Sequence, residues 1–170
     1  MFELVTDRLR LLPLNLDCLE LLVQGRTLME SHLGLMPSNL QLDKIIQTEI
    51  KEAQIEWLEG VRANPIDYCW LTNWEIILKS ENRIVGGIGL HRVNTSEVMV
   101  GYAMDKRYYN QGIATESLNA LKNWVFTYPF IQKMMADTPI ENVASQKVLI
   151  KNRFVEKDRN HQVIHWECLR

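Results

Sequence analysis

The sequence predicts an α/β fold with a mixed central sheet of about six or seven strands and about four helices. Residues 68–104 hold three apolar, β-branched runs separated by short polar turns, which is typical of consecutive antiparallel strands. Residues 113–125 then place apolar side chains at helical spacing, and the run at 131–137 should be a strand parallel to the one before that helix. No linker, repeat or low-complexity segment divides the chain, so residues 1–170 are expected to form one domain.

The first part of the chain predicts one strand and two helices. Phe2–Leu12 is expected to be a strand at or near an edge of the sheet, because Pro13 limits it. Asn15 suits the N-cap of a helix with an apolar stripe. Residues 31–40 are rich in turn formers and lead to an amphipathic helix over residues 41–61, which should pack on the sheet.

The rest of the chain alternates strands and helices. A helix over residues 111–126 follows the three strands of the middle region, and a second helix should run from Asn142 to Lys151. Residues 154–169 read as a closing hairpin. The three strands of the middle region are predicted at Tyr68–Lys79, Arg83–His91 and Glu97–Met104.

Composition and charge exclude several classes of protein. The formal net charge of −2 does not favour a nucleic-acid groove or binding to an anionic membrane. Cys18, Cys69 and Cys168 are odd in number and lack metal-ligand spacing, so we expect free thiols, no metal site and a cytoplasmic setting. The first residues do not have the pattern of a signal peptide, and no apolar run is long enough for a membrane span.

The stretch from Val98 to Glu116 indicates a ligand site, because it combines a strand, a tight polar turn and a helix start. Gly112 stands at the mouth of the helix, where the missing side chain lets the backbone approach a ligand closely. The first amides of a helix lack internal partners, and the helix dipole adds partial positive charge there. Such a turn suits a pyrophosphate, although one glycine at a helix start also occurs in plain strand–loop–helix connections.

The order of residues in this stretch resembles a known family. Tyr109-Asn110-Gln111-Gly112-Ile113-Ala114 is similar to the acetyl-CoA loop of the GCN5-related N-acetyltransferases (GNAT), whose pattern is Arg or Gln, two residues, Gly, one residue, then Gly or Ala. Gly101-Tyr102 before the loop and Thr115-Glu116 after it also fit. Residues 142–154 and Thr6-Asp7-Arg8-Leu9-Arg10-Leu11 resemble the branch that acetylates ribosomal-protein N-termini (RimJ/RimL-like), so the resemblance spans nearly the whole chain.

The resemblance implies acetyl-CoA as the cofactor and a sheet in which Val98–Met104 and residues 131–137 splay apart beside it. Loop amides are expected to hold the pyrophosphate, the strand edge at Ala103 and Met104 to pair with the pantetheine, and a backbone amide near Met104 to face the thioester oxygen. The expected cofactor-binding residues are Ala103, Met104, Tyr109, Asn110, Gln111, Gly112, Ile113, Ala114, Thr115, Asn142 and Ser145.

The chain departs from the family pattern at three positions. Tyr109 replaces the usual Arg or Gln, and Leu149 stands where many members have a tyrosine that protonates the leaving thiolate. Ser145 occupies the place of a serine suspected of that role in the ribosomal-protein branch, although its hydroxyl can equally bond the helix backbone. The family usually has Gly just before Phe154, and here Asn152 is expected to close the helix instead.

The predicted catalytic set is Ser145, Glu97 and the backbone of Met104, with Glu75, His91 or a water chain as alternatives to Glu97 for the base. The predicted enzyme is an N-acetyltransferase that moves acetyl to a primary amine by direct attack. A protein N-terminal α-amine (pKa about 8) is an easier acceptor than a lysine (about 10.4) without a strong base. A polyamine or aminoglycoside acetyltransferase and a non-catalytic acyl-CoA sensor are the alternatives, and the exposed strands would allow a homodimer.

Overall fold

The computed structural model describes residues 2–170 and contains one eight-stranded mixed sheet. Its order is β1-β2-β3-β4-β5-β6-β8-β7, and every neighbouring pair is antiparallel except β5 with β6. The strands are β1 (Leu4–Val5), β2 (Leu9–Pro13), β3 (Asn73–Leu78), β4 (Arg83–Arg92), β5 (Glu97–Met104), β6 (Lys133–Pro139), β7 (Val155–Arg159) and β8 (Val163–Leu169).

Residues 2–170 also contain five α-helices and two 3₁₀ segments, so the predicted fold class is confirmed with one more helix and at least one more strand than expected. Within these residues no helix is long and apolar enough to cross a membrane, and no three His, Cys, Asp or Glu side chains are grouped to hold a metal ion. The helices are α1 (Leu16–Gln24), α2 (Arg26–His32), α3 (Lys44–Ala63), α4 (Ile113–Val125) and α5 (Val143–Lys151), and the 3₁₀ segments are Pro65–Trp70 and Lys106–Tyr108.

The helices divide between the two faces of the sheet. One apolar cluster joins α4 and α5, through residues such as Leu118 and Leu149, to the face that carries Val100, and we call this the α4/α5 face. A second cluster joins α1, α2 and the end of α3 to Ile77 and Ile84 on the opposite face. The second cluster reaches β2, β3 and β4 and contains no residue of β5, β6 or β8.

The sheet splits between β5 and β6. The two strands pair only from Glu97 with Lys133 to Met99 with Met135, although β5 continues to Met104 and β6 to Pro139. On their outer sides, β4 follows β5 to its end and β8 follows β6 to its end. Each strand therefore stays anchored on one side while its other edge faces the gap, which confirms the predicted splay.

A glycine on β4 determines how closely the C-terminal end of β5 is packed. A β-bulge interrupts the pairing of β3 with β4 beside Gly86, which pairs with Met104. A Cβ atom at Gly86 would lie 2.5 Å from the carbonyl oxygen of Ala103 and 2.7 Å from the sulfur of Met104. Because this space is closed to any side chain, Gly86 lets β4 and the edge of β5 at the gap approach closely.

Several expected elements were wrong. The first strand is interrupted at Thr6, whose amide donates to the carbonyl of Leu9, so β1 and β2 form a small hairpin. The helix α2 (Arg26–His32) was not predicted as a separate element, and it ends within the connector that was predicted over residues 31–40. Residues 65–70 form a 3₁₀ segment that starts with proline at its first position, so β3 begins at Asn73 rather than Tyr68.

The end of α5 also differs from the expectation. Arg153, not Asn152, adopts the left-handed conformation (φ 66°). Asn152 is buried, its side-chain amide donates to the carbonyl oxygen of Thr115 at 3.2 Å, and its own carbonyl accepts from Nζ of Lys122 at 2.9 Å. Asn152 therefore ties α5 to α4, and the cost of the left-handed conformation falls on a residue with a Cβ atom.

Candidate cofactor and acyl-transfer site

A cavity of about 340 Å³ opens at the split in the sheet, and we call it the cleft. Five parts of the chain line it: the end of β5, the loop before α4, the first turn of α4, one side of α5, and residues 42–46 around the start of α3. Gln111 is the one predicted cofactor residue outside the lining. The predicted cofactor residues that line the cleft are Ala103, Met104, Tyr109, Asn110, Gly112, Ile113, Ala114, Thr115, Asn142 and Ser145.

The loop before α4 contains two residues in the left-handed conformation, Asn110 (φ 61°) and Gly112 (φ 75°). Asn is the residue other than Gly that most readily adopts this conformation, so Asn110 fits the loop without much strain. The first bond of α4 runs from the amide of Glu116 to the carbonyl of Gly112 at 3.0 Å. The amides of Ile113, Ala114 and Thr115 precede it and have no partner within the helix. These three amides are therefore free to donate at the place where the sequence predicts an anion.

The N-terminal Thr6-Asp7-Arg8 segment braces this loop from outside the cleft. Thr6 donates its hydroxyl to Oε1 of Glu116 at 2.6 Å, and Arg8 donates Nε to Oε2 at 2.7 Å. Arg8 also donates Nη1 to the carbonyl of Gln111 at 2.9 Å, which explains why Gln111 lies outside the lining. Burial alone would raise the pKa of Glu116, but hydrogen bonds from Thr6 and Arg8 lower it.

A second network fixes the other side of the loop. Asp105 is fully buried and accepts from Nε of Arg107 at 3.0 Å and from the amide of Gln41 at 3.1 Å. Arg107 also donates to the carbonyl of Ser38 at 2.7 Å. Burial would raise the pKa of Asp105, but the hydrogen bonds from Arg107 and Gln41 lower it. The network therefore holds the segment before α3 against the end of β5.

Ser145 and Tyr102 meet across the cleft. The Tyr102 hydroxyl lies 2.7 Å from Oγ of Ser145 and 3.1 Å from the Ser145 carbonyl oxygen, and it can donate its one proton to either atom. Asn142 caps α5, because its Oδ1 accepts from the Ser145 amide at 3.0 Å. Burial raises the pKa of Tyr102 to about 12, against the opposing hydrogen bond with Ser145. Leu149 is fully buried and supplies no hydroxyl.

Tyr102 is a candidate functional residue that the sequence did not assign to this pair. Its position in β5 alternates with Gly101 and Ala103, which places it on the α4/α5 face. The contact with Ser145 joins residues 43 positions apart. Only the three-dimensional arrangement of β5 and α5 reveals that contact.

The structure does not bring the proposed bases into the cleft. Glu97 lies at the closed end of the split, with Oε1 2.6 Å from Nζ of Lys133. Hydrogen bonds from Lys133, and then from Asn94, lower the pKa of Glu97, which makes it a weaker proton acceptor. Glu75 is fully buried and pairs with Arg26 at 3.1 Å, and His91 lies near the exposed end of β4.

A polar groove of about 670 Å³ adjoins the cleft between α4 and α5. It shares Gly112, Thr115 and Lys151 with the lining of the cleft and adds Arg153. Lys122 also lies in the groove, but it is buried and committed to the carbonyl of Asn152. Lys151 and Arg153 therefore provide accessible positive charge in the groove.

A split mixed sheet, a left-handed loop and free helix amides at one cleft suit an elongated cofactor that carries phosphate groups. Residues 8–155 match the family model described as the acetyltransferase (GNAT) domain. The chain belongs to this family, whose cosubstrate is acetyl-CoA.

Known proteins support this placement. The uncharacterized N-acetyltransferase YjdG of Bacillus subtilis is 27% identical over 96 residues. The match covers 55% of this chain and 57% of the length of that relative. The ribosomal-protein-S5-alanine acetyltransferase of Vibrio fischeri shares the fold (TM-score 0.67, 17% identity, 99% of this chain and 97% of that chain). So does a ribosomal L7/L12 α-N-protein acetyltransferase solved with coenzyme A (TM-score 0.69, 18% identity, 99% and 98%).

We expect Gly112→Ala to weaken acetyl-CoA binding at least about tenfold, because a left-handed alanine costs roughly 1–2 kcal/mol and its strain distorts the anion site. Gly34→Ala is the matched control, since Gly34 is also left-handed (φ 67°) with open space around it and lies outside the cleft. Titration calorimetry and urea unfolding should show similar losses of stability but weaker binding for Gly112→Ala alone. Equal affinities in the two variants would contradict the loop assignment.

Proposed function

We propose that the chain transfers acetyl from acetyl-CoA to a primary amine by direct attack of the amine on the thioester. The observation that carries this proposal is that ten predicted cofactor residues from β5, the loop and α5 line one cleft at the split. In this proposal the amides of Ile113, Ala114 and Thr115 bind the pyrophosphate, and the free edge of β5 beyond Met99 pairs with the pantetheine. Lys151 and Arg153 attract the phosphate on the adenosine.

Direct attack is supported by the residues that line the cleft. Of residues 2–170, those lining it include no cysteine, and burial raises the pKa of Cys18 to about 11. A covalent acetyl-cysteine intermediate therefore lacks a nucleophile at this site. We assign stabilisation of the tetrahedral oxyanion to a backbone amide of β5 near Met104.

We assign stabilisation of the leaving thiolate to the hydroxyl of Ser145, which Tyr102 holds in place. The phenol keeps its proton over the working pH range because its pKa is raised to about 12. When Tyr102 donates that proton to Oγ of Ser145, the serine hydroxyl proton is free to turn toward the sulfur. A hydrogen bond then stabilises the thiolate as the C–S bond breaks, in place of the tyrosine that α5 lacks at Leu149.

A protein N-terminal α-amine is the acceptor that we propose first. The names of two fold neighbours refer to acetylation of ribosomal proteins, although their identities below 25% speak for the fold alone. An α-amine is partly neutral near pH 7, whereas a lysine amine is almost fully charged. We also propose a cytoplasmic setting, which is consistent with three free cysteines.

The test is steady-state release of the CoA thiol from acetyl-CoA with N-terminal peptides, lysine peptides, polyamines and aminoglycosides. We expect turnover with at least one amine and the fastest turnover with an α-amino peptide. Fastest turnover with a polyamine or aminoglycoside would replace the acceptor but keep the reaction. Tight acetyl-CoA binding without turnover on any amine would contradict the proposed reaction and favour a sensor.

We expect Ser145→Ala to lower kcat by about 10²-fold with little change in the KM for acetyl-CoA, because the serine acts on the leaving group rather than on binding. Tyr102→Phe should lower kcat less, and the double variant should be no slower than Ser145→Ala, because both act through one hydroxyl. Tyr128→Phe is the control, since Tyr128 lies outside the cleft in an aromatic cluster. Additive losses in the double variant would show that Tyr102 does not act through Ser145.

A further inference from the structure

The face of the sheet opposite α4 and α5 carries a pair of titratable side chains next to the split. His165 on β8 and Asp137 on β6 are register partners, and Nδ1 of His165 lies 2.7 Å from Oδ1 of Asp137. Their side chains are 43% and 46% exposed. The pair is therefore accessible, and neither the catalytic set predicted from the sequence nor the cleft described above includes it.

Strand parity places this pair at the gap. The ion pair of Glu97 with Lys133 shows that these paired residues point to one face, and Asp137 follows Lys133 by four positions in the regular strand β6. Gly101 likewise follows Glu97 by four positions on β5, so Gly101 and Asp137 lie on the same face of the sheet. Asp137 and Gly101 each lie two residues beyond the last paired positions of their strands, so they face each other across the opening of the split.

No side chain fills the space over β5 beside this opening. Gly101 pairs with Gly89 on β4, and a Cβ atom added to either glycine would meet no atom within 4 Å. The apolar cluster beneath α1 to α3 contains no residue of β5 or β6, and Gly101 and Asp137 are both exposed. An amine can thus approach the gap from this side, while the cofactor occupies the cleft between the loop and α5.

The hydrogen bond to Asp137 selects the form of the imidazole. A carboxylate accepts, so the neutral ring carries its proton on Nδ1 and keeps the lone pair of Nε2 free. After a proton binds to Nε2, the resulting imidazolium remains paired with the Asp137 carboxylate. A paired histidine of this kind can accept a proton and stabilise the charge that it gains.

We propose that His165 is the general base for the acceptor amine and that Asp137 is its positioning residue, an inference that rests on the proposed function. The amine nitrogen attacks the thioester carbon, a C–N bond forms, the C–S bond breaks, and the sulfur leaves with the bonding pair. The surplus proton of the nitrogen passes to Nε2 of His165 and then to water, and the thiolate takes a proton from water. His165 acts from one face of the split, and Ser145 from the other.

Several other titratable side chains surround His165, and a pH profile must distinguish their ionisations from that of His165. Asp137 faces it from β6, and Asp158 faces it from β7 as its other register partner. Glu167 lies two residues farther along β8, with Nζ of Lys157 at 3.6 Å from its Oε1. The comparison of His165→Asn with wild type therefore decides whether an ionisation in the pH profile belongs to His165 or to one of these carboxylates.

The test compares His165→Asn with wild type, because an asparagine amide can still donate to Asp137 while the base is lost. We expect kcat with the amine found in the acceptor panel to fall about 10²-fold at pH 7, with an unchanged KM for acetyl-CoA. The rise of kcat/KM with pH through the histidine ionisation should disappear. His161→Asn in the exposed turn between β7 and β8 is the control and should behave as wild type.

Three outcomes would overturn the proposal or its basis. An unchanged pH profile and rate in His165→Asn would show that the pair only joins β6 to β8. Loss of the ionisation in His91→Asn instead would move the base to β4. No amine-dependent turnover of wild type would overturn the proposed function itself, and the role of His165 with it.

Discussion

The short parallel pairing of β5 with β6 is the constraint on which the rest of the site depends. Parallel strands joined through α4 would normally pair along their whole length, but here pairing stops after Met99 and Met135. The strand edges beyond that point carry backbone groups that need partners. A pantetheine arm has amides that can supply them. The split is therefore the place where we propose that the cofactor enters and binds.

Two carboxylates, Glu116 and Asp105, tie distant parts of the chain to the loop beside the split through hydrogen bonds. Glu116 is bound by Thr6 and Arg8, more than 100 residues earlier, and Asp105 is bound by Arg107 and by the segment before α3. Both carboxylates have lowered pKa values, because the hydrogen bonds to them outweigh burial. A left-handed loop is costly by itself, so these contacts limit the conformations that compete with it.

The sequence predicted the features that depend on local order and missed those that depend on pairing across the sheet. Gly112, the start of α4 and the strands after Arg83 follow from turn chemistry and periodicity, and the loop pattern carried the resemblance to the family. Residues 26–32 form a helix that Gly25 and the following turn formers obscured. Two side-chain pairs form only because separate elements meet: Tyr102 with Ser145, and Asp137 with His165. The spacing of these residues in the sequence does not predict the pairs.

Hydrogen–deuterium exchange with and without acetyl-CoA tests most directly whether the split is the cofactor site. The account predicts that acetyl-CoA slows exchange in residues 100–104 and 111–115, because the first segment gains a strand-like partner and the second an anion. Residues of β1 and β7, at the outer edges of the sheet, should be unaffected. Tight binding of acetyl-CoA that protects neither segment would contradict the account.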